Sequence, residues 1–291
     1  MPALVLLIIL GIDWASGYAI AGYCMTHGVN PYGYAFWQSF GPFVLLFIIQ
    51  FVRRDLWLEK NGVVYAMLCG LFGIVIPNLL IYFAARHIPS GLLTVLANVS
   101  PILTYVLAVS FKDEKFSLAR AGLVLIGLVG VGLVILPNQH GLELDIGNWW
   151  LYLALLIPLS YAFSAVYISR FHPGTGNVLS YAMWMLMFSS LCISPLTVIN
   201  QGYYPLHFDD TSSLLILVEI LLSTLGYGLL FIIIKKVGAV YYTLVNAVAV
   251  ITGVVYGYFL FQQQFSLLTL VAIGIILLTI LGLTYTQRKQ N

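Results

Sequence analysis

Two carboxylic acids, Asp13 and Glu219, stand inside long apolar stretches of a 291-residue chain in which only 8% of residues are charged. An Asp at the centre of a membrane helix is unfavourable by about 2.5–3.5 kcal/mol on insertion scales, so an acid there needs a reason. Asp13 can carry a proton, act as counter-ion to a bound cation, or tie helices together through a hydrogen-bonded carboxyl. Glu219 lies about two helical turns from the nearer end of its stretch; it can guard a vestibule or snorkel to the interface. Trp14 and Tyr18 follow Asp13 on one helix face, four residues apart. Tyr82, Tyr105, Tyr167 and Tyr227 also lie deep in apolar sequence, as do the amides of Asn78, Asn98 and Asn246. Aromatic walls hold aromatic or cationic groups by stacking and cation–π contact. Amides away from water must find partners, in a ligand or in another helix. These nine aromatic and amide residues are the candidate binding set, with Asp13 and Glu219 as proton-coupling or counter-ion groups.

Other chemistry is not indicated. Cys24, Cys69 and Cys192 are scattered without a CxxC pair, and the five histidines fall in or near loops, so neither a disulfide framework nor a metal site is expected. There is no Walker loop, HExxH, GxSxG or dinucleotide fingerprint. No catalytic residue, cofactor, metal or nucleic-acid partner is expected, and an ATP-driven pump is excluded for this chain alone.

The elements that must position these groups are membrane helices. Apolar residues make up 61% of the chain, against roughly 45–50% in soluble domains, and so few charges cannot cover a surface facing water. Ten runs reach the roughly 20 residues needed to cross hydrocarbon: Ala3–Tyr23, Tyr32–Val52, Gly62–Ala84, Gly91–Phe111, Leu118–Leu136, Trp149–Ser169, Val178–Asn200, Ser213–Ile234, Ala239–Leu260 and Leu267–Tyr285. They are too long, and alternate too little, for the strands of a β-barrel. The first run has no basic n-region and flows into further spans, which reads as a mature helix rather than a cleaved leader. Of the 12 Lys and Arg residues, only Arg86 falls on one set of connections. The positive-inside rule then places both termini in the cytoplasm. The loops holding Glu143 with Asp145, and Asp209 with Asp210, fall outside.

The chain also resembles itself at an offset of 149 positions. Tyr18 falls on Tyr167, Thr26 on Thr175, Tyr32 on Tyr181, Thr94 on Thr243, and Phe116-Ser117-Leu118 on Phe265-Ser266-Leu267. Residues 1–148 and 149–291 would each hold five spans. An odd number of crossings turns the second half upside down relative to the first, the inverted repeat of many secondary transporters.

The stretch Tyr82 to Leu136 has an apolar helix, a short basic turn, Pro101 within the fourth span, Glu114 just after it, and a fifth span with Gly122, Gly127, Gly130 and Gly132. The segment Gly147 to Arg170, with Ser160-Tyr161-Ala162 and Tyr167, looks like a matching sixth span, and Ile12-Asp13-Trp14-Ala15-Ser16 like a Trp-Gly/Ala-Ser start. On these features the chain resembles the drug/metabolite transporter superfamily, specifically its EamA family, over essentially its whole length. It departs from the pattern at Asp13, at Trp37-Gln38-Ser39 where many members carry an Arg, at Val250 where the Pro would recur, and at Gln263 where the Glu would recur. The departures bear on substrate rather than fold.

The resemblance implies an all-α integral membrane protein of ten transmembrane helices in two inverted five-helix repeats. It would sit in a bacterial inner membrane and move a small metabolite, an amino acid or a related aromatic or cationic compound, by alternating access. Export is favoured over import, with a proton as the simplest coupling ion. The partners would be a small-molecule substrate and the lipid bilayer. A membrane-embedded enzyme acting on a lipid or isoprenoid, and a passive channel, are the alternatives. Single cysteines introduced at Gln139 and at Lys235 are expected to react with impermeant reagent from opposite sides of the membrane. Labelling of both from one side would break the ten-span topology.

Overall fold

A chain surrounded by lipid must pair its backbone N–H and C=O groups internally, which leaves helices as the economical solution. The computed structural model describes residues 3–56, 60–112, 114–135, 149–171, 177–242 and 244–288. The loop with Gln139, Glu143 and Asp145, the 148/149 boundary, and the matched residues Thr175 and Thr243 lie outside the described residues. Among those described, nine helical stretches are long and apolar enough to cross a bilayer, and the shorter apolar helix Leu118–Leu133 makes a tenth.

The first two spans are α1 (Ala3–Thr26) and α2 (Pro31–Val52). The third is α3 (Lys60–Gly70), a π-helical turn Leu71–Val75, and α4 (Ile76–Ala84). The fourth is α5 (Ser90–Ala97) and α6 (Ser100–Ser110), and the fifth is α7 (Leu118–Ile135). The sixth is α8 (Trp149–Ala154) with α9 (Leu156–Phe171), followed by α10 (Val178–Ile199). The last three are α11 (Thr211–Tyr242), α12 (Leu244–Phe261) and α13 (Leu267–Arg288).

The breaks have local causes. Pro77 and Pro101 occupy the first turns of α4 and α6, where proline is tolerated but cannot extend the helix before it. The third span accordingly passes through the π turn, and the fourth breaks at Asn98 and Val99. In the ninth span Val250 stands in place of the proline, and α12 runs unbroken. The sequence leads one to expect a break near Lys235 and Lys236. Instead α11 runs on to Tyr242. No proline stands between Ile234 and Tyr242, and a single Gly238 costs only about 1 kcal/mol in a helix.

The packing follows the repeat. Spans n and n+5 meet directly where α2 packs on α10, α7 on α13 and α5 on α12. The other main contacts come in exchanged pairs: α1 with α12 mirrors α9 with α6, α1 with α11 mirrors α9 with α4, and α2 with α11 mirrors α10 with α3. Backbone turns repeat as well. Glu114 N–H donates to Ala108 O at 3.2 Å and Gln263 N–H to Gly257 O at 2.9 Å, 149 positions on. At the ends of α2 and α10 the offset is 147. Asn30 and Asn177 cap the helices, each accepting from the N–H two residues on. Asp55 N–H donates to Gln50 O at 2.9 Å, and Gly202 N–H to Thr197 O at 2.8 Å. Arg54 and Gln201 both take positive φ. The repeat therefore carries a two-residue difference in its second span, and Tyr32 is not the counterpart of Tyr181 there.

Two tryptophans express the same symmetry. Trp37 Nε1–H donates to Tyr204 O at 2.8 Å, and Trp184 Nε1–H donates to Leu56 O at 3.2 Å. Each belongs to one of the paired helices α2 and α10 and grips the segment that follows the other, so the pair is clamped at both ends. At one end Tyr204 donates to Asp210, which also accepts from the N–H groups of Ser212 and Ser213 at the start of α11. The Tyr204 hydroxyl, with these other donors, holds the Asp210 carboxyl below its usual range. At the fourth-to-fifth connection, Arg120 is buried against Glu114 and over the Tyr105 ring rather than free in a loop.

Trp37→Phe and Trp184→Phe remove one donor each and leave a carbonyl unpaired. Each is expected to lower unfolding stability by about 1 kcal/mol. The double variant is expected to show the sum, since the sites share no partner. Chemical denaturation in detergent measures it, and a strongly non-additive double variant would contradict two independent clamps.

Candidate functional site

Asp13 and Glu219 are both buried, at 5% and 6% exposure, and they meet across the α1–α11 contact. Each lies over a glycine of the opposite helix. A Cβ added at Gly17 of α1 would stand 3.2 Å from both oxygens of Glu219. One added at Gly226 of α11 would strike Asp13 Oδ2 and stand 3.2 Å from Trp14 Nε1. The missing side chains are thus what admits the carboxyls between the helices. Asp13 Oδ1 and Glu219 Oε2 are buried and accept no hydrogen bond among the described residues.

The other oxygen of Glu219 starts a buried polar chain. Ser223 Oγ donates to Glu219 Oε1 at 2.9 Å, and Gln38 Nε2 donates to Ser223 Oγ at 3.0 Å. Asn78 Nδ2 donates to Gln38 Oε1 at 2.9 Å, and Tyr161 OH donates to Asn78 Oδ1 at 3.3 Å. The chain crosses from α11 through α2 and α4 to α9. Asn78 follows Pro77 on the first turn of α4, just after the π turn of the third span.

Aromatic side chains close around these groups. The Tyr18 and Tyr161 hydroxyls face each other, and the Tyr227 hydroxyl faces the Gln38 and Asn78 amides. Tyr82 packs edge-on against Tyr34 at 4.6 Å, and Trp14 edge-on against Tyr242 at 5.9 Å between ring centroids. Of the expected set, Asp13, Trp14, Tyr18, Asn78, Tyr82, Tyr227 and Glu219 therefore converge.

The remaining four lie elsewhere. Tyr105 OH accepts from Ser117 N–H at 2.9 Å beneath Arg120, in the clasp between the fourth and fifth spans. Tyr167 stacks with Tyr65 and Phe171. Asn98 Nδ2 donates to Thr94 O at 2.8 Å in its own helix, at the break in the fourth span. Asn246 is buried in the first turn of α12. Sequence reading passed over Gln38 and Ser223. Gln38 was visible as an amide within an apolar run, whereas a membrane-buried serine commonly bonds its own helix and offers no signal.

Replacing Gln38 by Leu leaves Ser223 and Asn78 each short of a buried partner, at a cost of about 1–3 kcal/mol per orphaned group. Ser39, whose hydroxyl has no partner among the described residues, provides the control. Gln38→Leu is expected to lower the unfolding midpoint clearly and Ser39→Ala hardly at all; equal effects would deny the chain any energetic weight.

Comparison with known proteins speaks to the fold and the family. A solved structure described only as "Crystal structure of protein" is 14% identical, with 100% of each chain covered and a TM-score of 0.62; at that identity the likeness speaks to fold. No curated protein matches. The model of the EamA-like transporter family matches twice, over residues 1–136 and 148–285. Ten apolar helices, two packing halves and two successive family matches identify the chain as a member of the EamA-like transporter family.

Proposed function

We propose that this transporter is a secondary carrier that moves a small aromatic or cationic metabolite by alternating access, with Asp13 coupling movement to a proton gradient. The observation that carries the reading is the pair of buried carboxyls, each with an unpartnered oxygen, ringed by Trp14, Tyr18, Tyr82 and Tyr227. Among the described residues no basic side chain pairs with either acid. Arg86 is engaged with Val29 O, Arg170 with Phe111 O, and Arg120 with Glu114. A carboxyl held this way is favoured when it binds either a proton or a substrate cation, and exclusion of one by the other is the basis of exchange. The sequence contains no nucleotide motif, so an ion or substrate gradient supplies the driving force.

On this reading the chain lies in the bacterial inner membrane with both termini cytoplasmic, as the distribution of Lys and Arg favours, and exports its substrate. The two halves, residues 1–148 and 149–291, exchange access to the site between them. Asn98 and Asn246, in the fourth and ninth spans, lie outside the central cluster, as do Tyr105 and Tyr167, which serve the frame.

In proteoliposomes with an imposed pH gradient, Asp13→Asn is expected to fold normally and to lose gradient-driven transport by at least about tenfold, since it can no longer exchange a proton. Transport by Asp13→Asn equal to wild type at every pH tested would make Asp13 a structural residue and end this reading.

A further inference from the structure

The α1–α11 interface holds two acids, not one, and they are placed at different depths. Asp13 lies level with Gly226, and Glu219 level with Gly17. Along α1 the step from residue 13 to 17 is about 6 Å of helical rise, and along α11 the step from 219 to 226 is about 10 Å. The carboxyls are therefore between one and two helical turns apart. Neither oxygen left free, Asp13 Oδ1 or Glu219 Oε2, has a partner among the described residues. No described basic side chain pairs with either acid.

Two like charges in a medium of low dielectric repel strongly, so a single monocation leaves one of them uncompensated. A divalent metal ion would need six or more oxygen ligands close around one point. Separated carboxyls cannot supply that, and no cluster of three metal-ligating side chains occurs among the described residues. With both acids ionised, one molecule bearing two separated cationic groups compensates them together.

We propose that this site takes an α,ω-diamine, one ammonium on Asp13 and the other on Glu219, with the methylene chain lying along Trp14, Tyr18 and Tyr227. The spacing corresponds to a linear chain of about four to six carbons between the amines, given carbon–carbon bonds of about 1.5 Å. The aromatic rings give the methylenes an apolar wall and add cation–π contact at the ends. Ser223, held by Gln38, bonds the Glu219 carboxyl, which fixes one of the two anchors. The proposal rests on the central cluster being the transport site and narrows its substrate.

The test is direct binding to the full-length protein in nanodiscs, by calorimetry, across the linear diamines from three to eight carbons and the monoamines of equal length. Affinity is expected to pass through an optimum in chain length and to exceed that of the matching monoamine by more than about tenfold, the scale of a buried charge pair. Asp13→Asn and Glu219→Gln should each reduce the best diamine to monoamine affinity. Should either variant misfold, Glu219→Asp serves instead. It draws one anchor back by a methylene and should move the optimum to a longer diamine. Equal affinity for monoamines and diamines, a flat length dependence, or no amine binding at all would overturn the diamine assignment. Gradient-driven uptake of a metabolite panel, measured separately in proteoliposomes, distinguishes that failure from failure of the carrier reading itself.

Discussion

A carboxyl inside hydrocarbon must be met by protein, and in this chain the contact between α1 and α11 is where that happens. The helices approach closely enough because Gly17 and Gly226 carry no side chain where the acids lie. Everything around the contact is arranged to hold Glu219 in one orientation. Ser223 holds the carboxyl, Gln38 holds Ser223, Asn78 holds Gln38, and Tyr161 holds Asn78. Such a chain joins the eighth, second, third and sixth spans through hydrogen bonds, of which those between neutral groups are each worth only about 1 kcal/mol net. Its value lies in geometry more than energy, because each member is buried and would leave an unsatisfied neighbour if it turned away.

The frame and the site obey different rules. Caps, turns, tryptophan clamps and helix pairs repeat between the two halves, at offsets of 147 and 149 positions. The site does not repeat. Position 149 beyond Asp13 is Ala162, and the position 149 before Glu219 is Gly70. The third and fourth spans are broken at Pro77 and Pro101, while α11 and α12 run through. A symmetric frame can offer the same site to either side of a membrane, whereas the molecule it holds has no reason to be symmetric.

Much of the frame was legible in the sequence because hydrocarbon imposes a length on every span and proline imposes a break. The ten spans and the interruptions at Pro77 and Pro101 follow from those two constraints. The join between the eighth and ninth spans was not legible, because Lys235 and Lys236 mark the end of an apolar run, not the end of a helix. Nor was the burial of Arg120, which depends on Glu114 and Tyr105 arriving beside it. The site was half legible. A lone acid, Trp or Tyr in an apolar run announces itself, but Tyr18 and Tyr167 look alike along the chain and part company only in three dimensions. The glycines under the carboxyls gave no signal of their role among 26 glycines.

The clamps constrain how such a molecule can move. The α2–α10 pair is fastened at both ends, by Trp37 to Tyr204 and by Trp184 to Leu56, and again by Gln50 Nε2 to Ser180 Oγ at 2.7 Å and Thr197 Oγ1 to Tyr32 O at 3.2 Å. Opening that pair at either face breaks several bonds at once. The π turn ahead of Pro77 and the break at Asn98 already lack regular helical pairing, so bending there gives up little. The π turn leads into Asn78, a member of the polar chain, and the other break lies at Asn98. A change of access that pivots on the broken third and fourth spans, with α2 and α10 as the fixed axis, would alter the polar chain at Asn78 and the surroundings of Glu219 in the same motion. Binding and movement would then act on one another through a few side chains rather than through the whole bundle.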